Sequence, residues 1–413
     1  MVNKNWSKMV CLGERMRTES PQRFYGFHRG MLPLLAVATA VASSLLIGKI
    51  AQANPDYQIQ GLGIPSGGTA SAALGINSAG DAVGYAVVGG YSEGLLFSGG
   101  GYSVTLSPGG TNWVNTAIND SDQIVGYGPD SSGYNTAFVV SAGNISDLGS
   151  LSGPLGSPVS EGFGIDSAGD AIGNSGTNAG TTSAFLYPAG GAMTNLGTLG
   201  GSSSYASGIS ADGHFVVGYS STSANQNHAF LYSTVSSAIS DLGTLGGSAS
   251  YGTAVNNSGA VVGYSTPTSG SDFHAFLWTP GGTGGVSGNP QMRDLGDPNN
   301  LGAYATAVNN SGTVVGYYAV AGGGALAFVD SGGTMTALNS LLPSNAGWNL
   351  EAATGINDLG DIVGYGVNPS GQTEAFELTP VPEPATLPLL GAAVAALSLL
   401  RGRRRHVART QAR

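Results

Sequence analysis

The sequence predicts an all-β fold: seven four-stranded antiparallel blades closed into a ring, the last blade completed by a strand from the N-terminal side. Three observations carry this prediction. First, one interval recurs seven times, reading aromatic, small residue, Gly-Ile or Ala-Val, an Asn/Asp/Ser-Gly turn, Val-Val-Gly-Tyr, Ala-Phe-Leu-Tyr and Asp-Leu-Gly. Its marker glycine falls at Gly84, Gly126, Gly173, Gly218, Gly263, Gly316 and Gly364, in steps of 42, 47, 45, 45, 53 and 48 residues. A period of this length marks supersecondary units that bury their apolar faces only against neighbours. Second, 69 of the 413 residues are Gly. Each interior Gly costs a helix about 0.5–1 kcal/mol relative to Ala, so long helices are disfavoured. A hydrophobic content of 41% still suffices for a core. Third, the ends are displaced. Tyr57-Gln58-Ile59-Gln60-Gly61-Leu62-Gly63 reads as a fourth strand, whereas the seventh repeat stops at its third, Glu374-Ala375-Phe376-Glu377-Leu378. Pairing the two removes an exposed sheet edge. A β-solenoid, the alternative fold, has no reason to begin with the strand it lacks at its end.

The fourth repeat shows each element in order. Tyr205–Ile209 is a short strand. Ser210-Ala211-Asp212-Gly213 is a turn, with Gly able to take φ > 0 and Asp able to bond its own backbone. His214–Ser220 is the returning strand, and the polar stretch Ser221–Asn227 leads to a third, His228–Tyr232. Ile239–Gly243 is the fourth, and Thr244–Ser248 crosses to the next repeat. Strands buried on both faces read as apolar runs, which fits Phe-Val-Val and Ala-Phe-Leu-Tyr stacked between sheets. Such sheets placed radially form a β-propeller. It occupies residues 54–380.

The two ends read as addresses. Residues 1–53 form a secretory signal peptide, with basic residues from Lys4 to Arg29 ahead of an apolar run at Met31–Gly48. Ala51 and Ala53 fit the small-x-small pattern, so cleavage falls between Ala53 and Asn54. Translation starts at Met1, Met9, Met16 or Met31, and an uncleaved anchor is the alternative. The partners are then a Sec-type export machinery and signal peptidase. Cys11, the single cysteine, is removed with the leader, leaving a body with neither disulfide nor thiol chemistry.

At the other end, Pro382-Glu383-Pro384 precedes an apolar stretch from Ala385 to Leu400 and the basic cluster Arg401, Arg403, Arg404 and Arg405. The prolines hold an extended chain. The apolar stretch is expected to form a helix that enters the bilayer, although it is short for a span, and the arginines stay cytoplasmic. Residues 381–405 thus resemble the PEP-CTERM sorting signal of Gram-negative bacteria, with 406–413 as a cytoplasmic tail. The resemblance implies processing by exosortase, a membrane enzyme, and places the body at the cell envelope, outer surface or extracellular matrix. A plain C-terminal anchor is the alternative. The repeats resemble the extracellular HAF-repeat family, on His228-Ala229-Phe230, His274-Ala275-Phe276 and the runs Leu196–Gly201 and Leu242–Gly247. That resemblance implies export and no defined activity. The first repeat departs at Gly94-Leu95-Leu96-Phe97 and the third at Gly173-Asn174. Both are expected to be less regular blades.

Charge excludes several functions. Between Asn54 and Pro380 there are 21 acids and one basic residue, Arg293. Nucleic acids and anionic membranes both require clustered Lys and Arg. Asn and Asp recur in the turns at Asn77, Asp81, Asn119, Asp120, Asp122, Asp166, Asp170, Asn357, Asp358 and Asp361. Calcium would use such oxygens. However, Asn256-Asn257-Ser258-Gly259 and Asn309-Asn310-Ser311-Gly312 keep the turn without a carboxylate, so its requirement is conformational. Both also match the glycosylation sequon, which turn chemistry already explains. His228 and His274 hold equivalent positions and are expected to pack at strand starts, with no acid in a ligand-like spacing. Glu93, Glu161 and Glu351 appear in one repeat and not its siblings, Glu161 and Glu351 just before a first strand. They are weak candidates for glycoside chemistry. No catalytic residue, cofactor or metal ligand is assigned. The expected function is a non-enzymatic structural or interaction propeller at the cell surface or in the biofilm matrix. Two alternatives are a lectin-like binder of exopolysaccharide using Tyr and Asn/Ser-rich loops on one rim and, less favoured, a secreted carbohydrate-active enzyme.

Overall fold

The computed structural model describes residues 56–382, apart from 106, 108, 109, 153–158 and 271. The chain divides into two units, 1–53 and 54–413, and every described residue belongs to the second. The expected signal peptide, with Ala51, Ala53 and Asn54, therefore lies outside the described residues. So do Glu383, Pro384, the apolar stretch and Arg401, Arg403, Arg404 and Arg405. Pro382 is described and is exposed. No helix among the described residues is long and apolar enough to cross a membrane.

The strands form seven four-stranded sheets, all antiparallel, and the one helical element among the described residues is a 3-10 turn at Leu338–Leu341. Blades 1 to 6 span residues 68–104, 114–147, 160–195, 200–241, 246–296 and 303–337 in chain order. Blade 7 has strands Asn349–Ile356, Ile362–Val367 and Thr373–Pro380, and its fourth is Tyr57–Gly61. That strand pairs antiparallel with the third, Gln58 opposite Thr379 and Gly61 opposite Phe376. The ring closes as the displaced ends predict.

One steric device repeats in every blade. Opposite each marker glycine the first strand carries a one-residue bulge, at Leu74, Thr116, Phe163, Ser207, Thr253, Thr306 and Thr354. A bulge adds one unpaired residue and bends its strand. Here the bend presses a backbone carbonyl onto the glycine, so that a Cβ on Gly218 would fall far inside van der Waals contact with the Tyr205 oxygen. On the other side of the glycine stands the buried Phe of Ala-Phe: Phe138, Phe185, Phe230, Phe276, Phe328 and Phe376. Blade 1 has Leu95 there. Each such side chain contributes about 1.5–3 kcal/mol on burial.

Blades join through apolar clusters and through polar side chains that cross the joint. Ile172 and Ala184 of blade 3 pack with Ala206, Val216 and Phe230 of blade 4. Val363 and Ala375 of blade 7 pack with Ala73, Leu95 and Phe97 of blade 1. Ser160, Ser204 and Ser250, all buried, each accept the Ala N–H of the preceding blade's third strand at 2.8–3.0 Å. Ser71 does the same for Ala375 at 3.0 Å, across the closure. The bulge threonines Thr116, Thr253, Thr306 and Thr354 place their hydroxyls 2.7–2.9 Å from a first-strand carbonyl of the next blade.

Three expectations need correction. The first strand of blade 4 starts at Gly200 rather than Tyr205, and that of blade 5 at Gly246, so part of the expected crossing is strand. The bridge of Leu245 to Pro267 captures that segment early. Glu161 and Glu351 lie inside first strands, not before them. His228 and His274 do have acidic partners: their Nδ1 atoms sit 2.8 and 3.0 Å from Asp241 and Asp294. The third and fourth strands of one sheet bring the pairs together across 13 and 20 residues of chain, which no local spacing reveals.

A tyrosine-lined face as the candidate functional site

The first strands and turns of all seven blades line an axial cavity. The turns between first and second strands contribute to that lining. The residues at the head of these turns, Asn77, Asn119, Asp166, Ser210, Asn256, Asn309 and Asn357, are all buried. Their side-chain oxygens serve the local backbone; Asn77 Oδ1, for example, accepts from Ala79 and Asp81 at 3.0 and 2.9 Å. The amide Nδ2 groups reach the next blade: Asn77 donates to Asn119 O, Asn119 to Asp166 O, Asn256 to Asn309 O, Asn309 to Asn357 O and Asn357 back to Asn77 O, at 2.7–3.3 Å. The conformational reading of these turns thus gains a second component, a hydrogen-bonded ladder around the ring. Asp166 and Ser210 lack an amide to donate, so the ladder is interrupted at blades 3 and 4.

Away from these turns the blades carry an aromatic array. The residue after each marker glycine is Tyr85, Tyr127, Asn174, Tyr219, Tyr264, Tyr317 and Tyr365, so six of seven positions carry a phenol. Opposite them on the first strands stand Tyr205, Tyr251 and Tyr304 in blades 4 to 6. The bulge and the glycine fix the register that brings these rings face to face. Within a blade the pairs stack: Tyr205–Tyr219 at 4.7 Å, Tyr251–Tyr264 at 4.9 Å and Tyr304–Tyr317 at 5.0 Å between centroids. Between blades they meet edge-on, Tyr219–Tyr251 at 4.9 Å and Tyr264–Tyr304 at 5.0 Å. Phe273 closes against Tyr264 at 5.1 Å. Both geometries suit the ring quadrupole, each pair adding about 0.5–1.5 kcal/mol. The result is a continuous arc of six tyrosines over three blades, all half-buried.

Burial, with the neighbouring tyrosines second, pushes the phenols of Tyr219 and Tyr264 up to about 12. Tyr127, Tyr304, Tyr317 and Tyr365 are raised too, first by burial. These six phenols are therefore uncharged at neutral pH.

The aromatic order breaks at blade 3, which has Glu161 and Asn174 where blade 4 has Tyr205 and Tyr219. A cleft of about 550 Å³ opens there, lined by Glu161, Asn174, Thr177, Thr181, Tyr205 and Tyr219 among others. Asn135 Nδ2 donates to Glu161 Oε1 at 3.1 Å, and Ala206 N–H donates to Asn174 Oδ1 at 2.8 Å. The sequence marked both Glu161 and Asn174 as departures from the repeat. Their adjacency follows from the register, which the sequence did not supply. Glu93 and Glu351 lie in blades 1 and 7 and do not line this cleft. Among the described residues no group of three His, Cys, Asp or Glu could hold a metal.

No protein-family model and no curated protein matches the sequence. Solved structures do. TolB from Acinetobacter baumannii is 11% identical with a TM-score of 0.39, over 62% of this chain and 63% of that one. A putative TolB from Agrobacterium tumefaciens is 13% identical with a TM-score of 0.38, over 68% of this chain and 94% of that one. The β-propeller domain of the Trilobed protease from Pyrococcus furiosus is 9% identical with a TM-score of 0.37, over 66% and 82%. At such identities and scores none of these bears on what the present chain binds.

Proposed function

We propose that this chain is an exported, non-enzymatic interaction propeller of the cell surface or biofilm matrix, delivered by a signal peptide and a C-terminal PEP-CTERM signal. The observation that supports the interaction reading is the tyrosine arc. Aromatic rings carry large contact area at low entropic cost and are enriched where proteins meet their partners. Half-buried rings held by stacking are already ordered, so binding on them costs little further entropy. The acidic body points to partners that are not polyanions. Export and sorting rest on Ala51, Ala53, Pro382, Glu383, Pro384 and the arginines at 401 and 403–405, with signal peptidase and an exosortase-like enzyme as processing partners.

Two measurements test this. The chain and a Tyr219→Ser/Tyr264→Ser variant are each incubated with envelope and matrix material from producing cells. The natural chain sediments with that material, and the variant loses at least tenfold of the binding while remaining folded at the assay temperature, its midpoint lowered by the lost ring contacts. Equal sedimentation of the two sinks the tyrosine face. Mass spectrometry of the extracellular chain tests delivery. Truncation near Pro382 is expected, and Glu383→Ala leaves uncleaved protein in the inner membrane. Extracellular protein still ending at Arg413 sinks the sorting reading.

A further inference from the structure

We propose that the cleft between blades 3 and 4 is a saccharide site, taking one pyranose ring of a neutral, hydroxyl-rich glycan against Tyr205 with Glu161 and Asn174 holding its hydroxyls. The inference rests on the interaction reading above and gives that face a ligand class. Three features of the cleft carry it. Its volume of about 550 Å³ is that of a small-molecule site. One wall is aromatic, because Tyr205 ends the arc: it stacks on Tyr219 at 4.7 Å with an interplanar angle of 13°, and among the described residues no ring of blade 3 stacks on it. A pyranose presents an apolar C–H face that fits such a ring, and an equatorial rim of hydroxyls.

The opposite wall is polar in the way that rim requires. Glu161 is fixed by Asn135 through Oε1 and has no second partner among the described residues. Asn174 is oriented through Oδ1 by the Ala206 N–H, and its Nδ2 makes no hydrogen bond among the described residues. A carboxylate acceptor and an amide donor can together take two adjacent hydroxyls. Thr177 and Thr181, 2.9 Å apart through their hydroxyls, edge the mouth. Charge sets the class. The lining contains Glu161 and no Lys or Arg, and the body has 21 acids against Arg293 alone, so uronate-rich and sulfated glycans are repelled. The site exists because blade 3 departs from the repeat. With Tyr at position 174, as in the other six blades, a ring would occupy the space.

That last point supplies the test. The purified full chain is titrated calorimetrically with neutral hexasaccharides (β-1,4- and β-1,3-glucan, mannan, galactan) and with an alginate hexamer. At least one neutral hexamer binds, and alginate binds at least tenfold more weakly. Asn174→Tyr, which restores the repeat residue, weakens the neutral ligand tenfold or more while the chain stays folded at the assay temperature. Tyr205→Ala weakens it as much, with a midpoint lowered by the lost stack on Tyr219 but a chain still folded at the assay temperature, and Tyr91→Ala, in blade 1, changes affinity less than twofold. Tighter alginate binding, or an unaffected Asn174→Tyr variant, overturns the inference. If no neutral hexamer binds while Tyr219→Ser/Tyr264→Ser still abolishes sedimentation with matrix, the saccharide site fails and the interaction propeller stands. If neither result appears, both fail.

Discussion

At the marker glycine the controlling term is steric. The bulged first strand and the buried Phe of the third strand approach the same Cα from two sides, leaving no room for a methyl group. Gly218→Ala must move backbone, and we expect a loss of about 3 kcal/mol in denaturant unfolding, the upper end of the usual range for core overpacking. Gly281→Ala, at φ +66 with open space around it, pays only for its backbone conformation, about 1 kcal/mol. Equal losses would refute the steric account. A second residue-scale term is electrostatic. Burial, then Asp361 and Asp81, raise the Glu377 carboxyl above its usual range. A raised folded-state value means its contribution is complete at low pH and is lost as pH rises through that value. Glu377→Gln is thus expected to raise the thermal midpoint by about 1–3 °C at pH 7, a small gain because the group is half exposed, and to give none at pH 3. A midpoint shift that is the same at both pH values would exclude this cause.

At the scale of the element, the closing strand shows how a repeat tolerates lost chemistry. In blades 2, 4 and 5 the Asp of Asp-Leu-Gly accepts the N–H of its glycine, as Asp241 does from Gly243 at 2.7 Å. The closing strand reads Gly61-Leu62-Gly63 and has no such acid. Glu374 on the paired strand substitutes, accepting from Gly63 N–H at 2.8 Å, and Gly61 leaves the space its carboxylate fills. Deleting residues 54–63 removes this bond, the ladder to Thr373–Pro380 and the Leu62 side chain. We expect a loss of about 5 kcal/mol and a drop of about 10 °C in the midpoint of the whole cooperative transition. An unchanged transition in that variant would disprove closure. The strand count, the turns and the closure were legible because each rests on a local pattern or on bookkeeping of strands. The bulges were not, since an extra residue in a strand of Ala, Thr and Gly leaves no periodic signature. The His–Asp pairs were equally hidden, because a cross-strand register forms them.

At the scale of the molecule, the tyrosine arc makes stability depend on alkaline pH. Tyr219 and Tyr264 ionise near 12 in the folded chain against 10.0 in the unfolded one. Their contribution is complete below about 10 and is lost as pH rises toward 12, where the unfolded chain gives up protons first. The thermal midpoint should stay level to about pH 9.5 and then fall, and Tyr219→Phe/Tyr264→Phe should flatten part of that fall. A parallel decline in both proteins would place the sensitivity elsewhere. The repeat made one half of this face legible, the tyrosines after the marker glycines. Its continuity across three blades needed the ring geometry. The cleft was visible only as two irregular residues, Glu161 and Asn174, because a cavity is an absence that a sequence records as a substitution. The closing strand also sets a clock. Gly63 and Glu374 lie 311 positions apart, so at roughly 5–20 residues per second the first strand made waits about 15–60 s for its partner. A chain that folded over that interval would carry an unpaired sheet edge able to pair with its neighbours, and export before folding, as the proposed leader implies, would spare it that hazard.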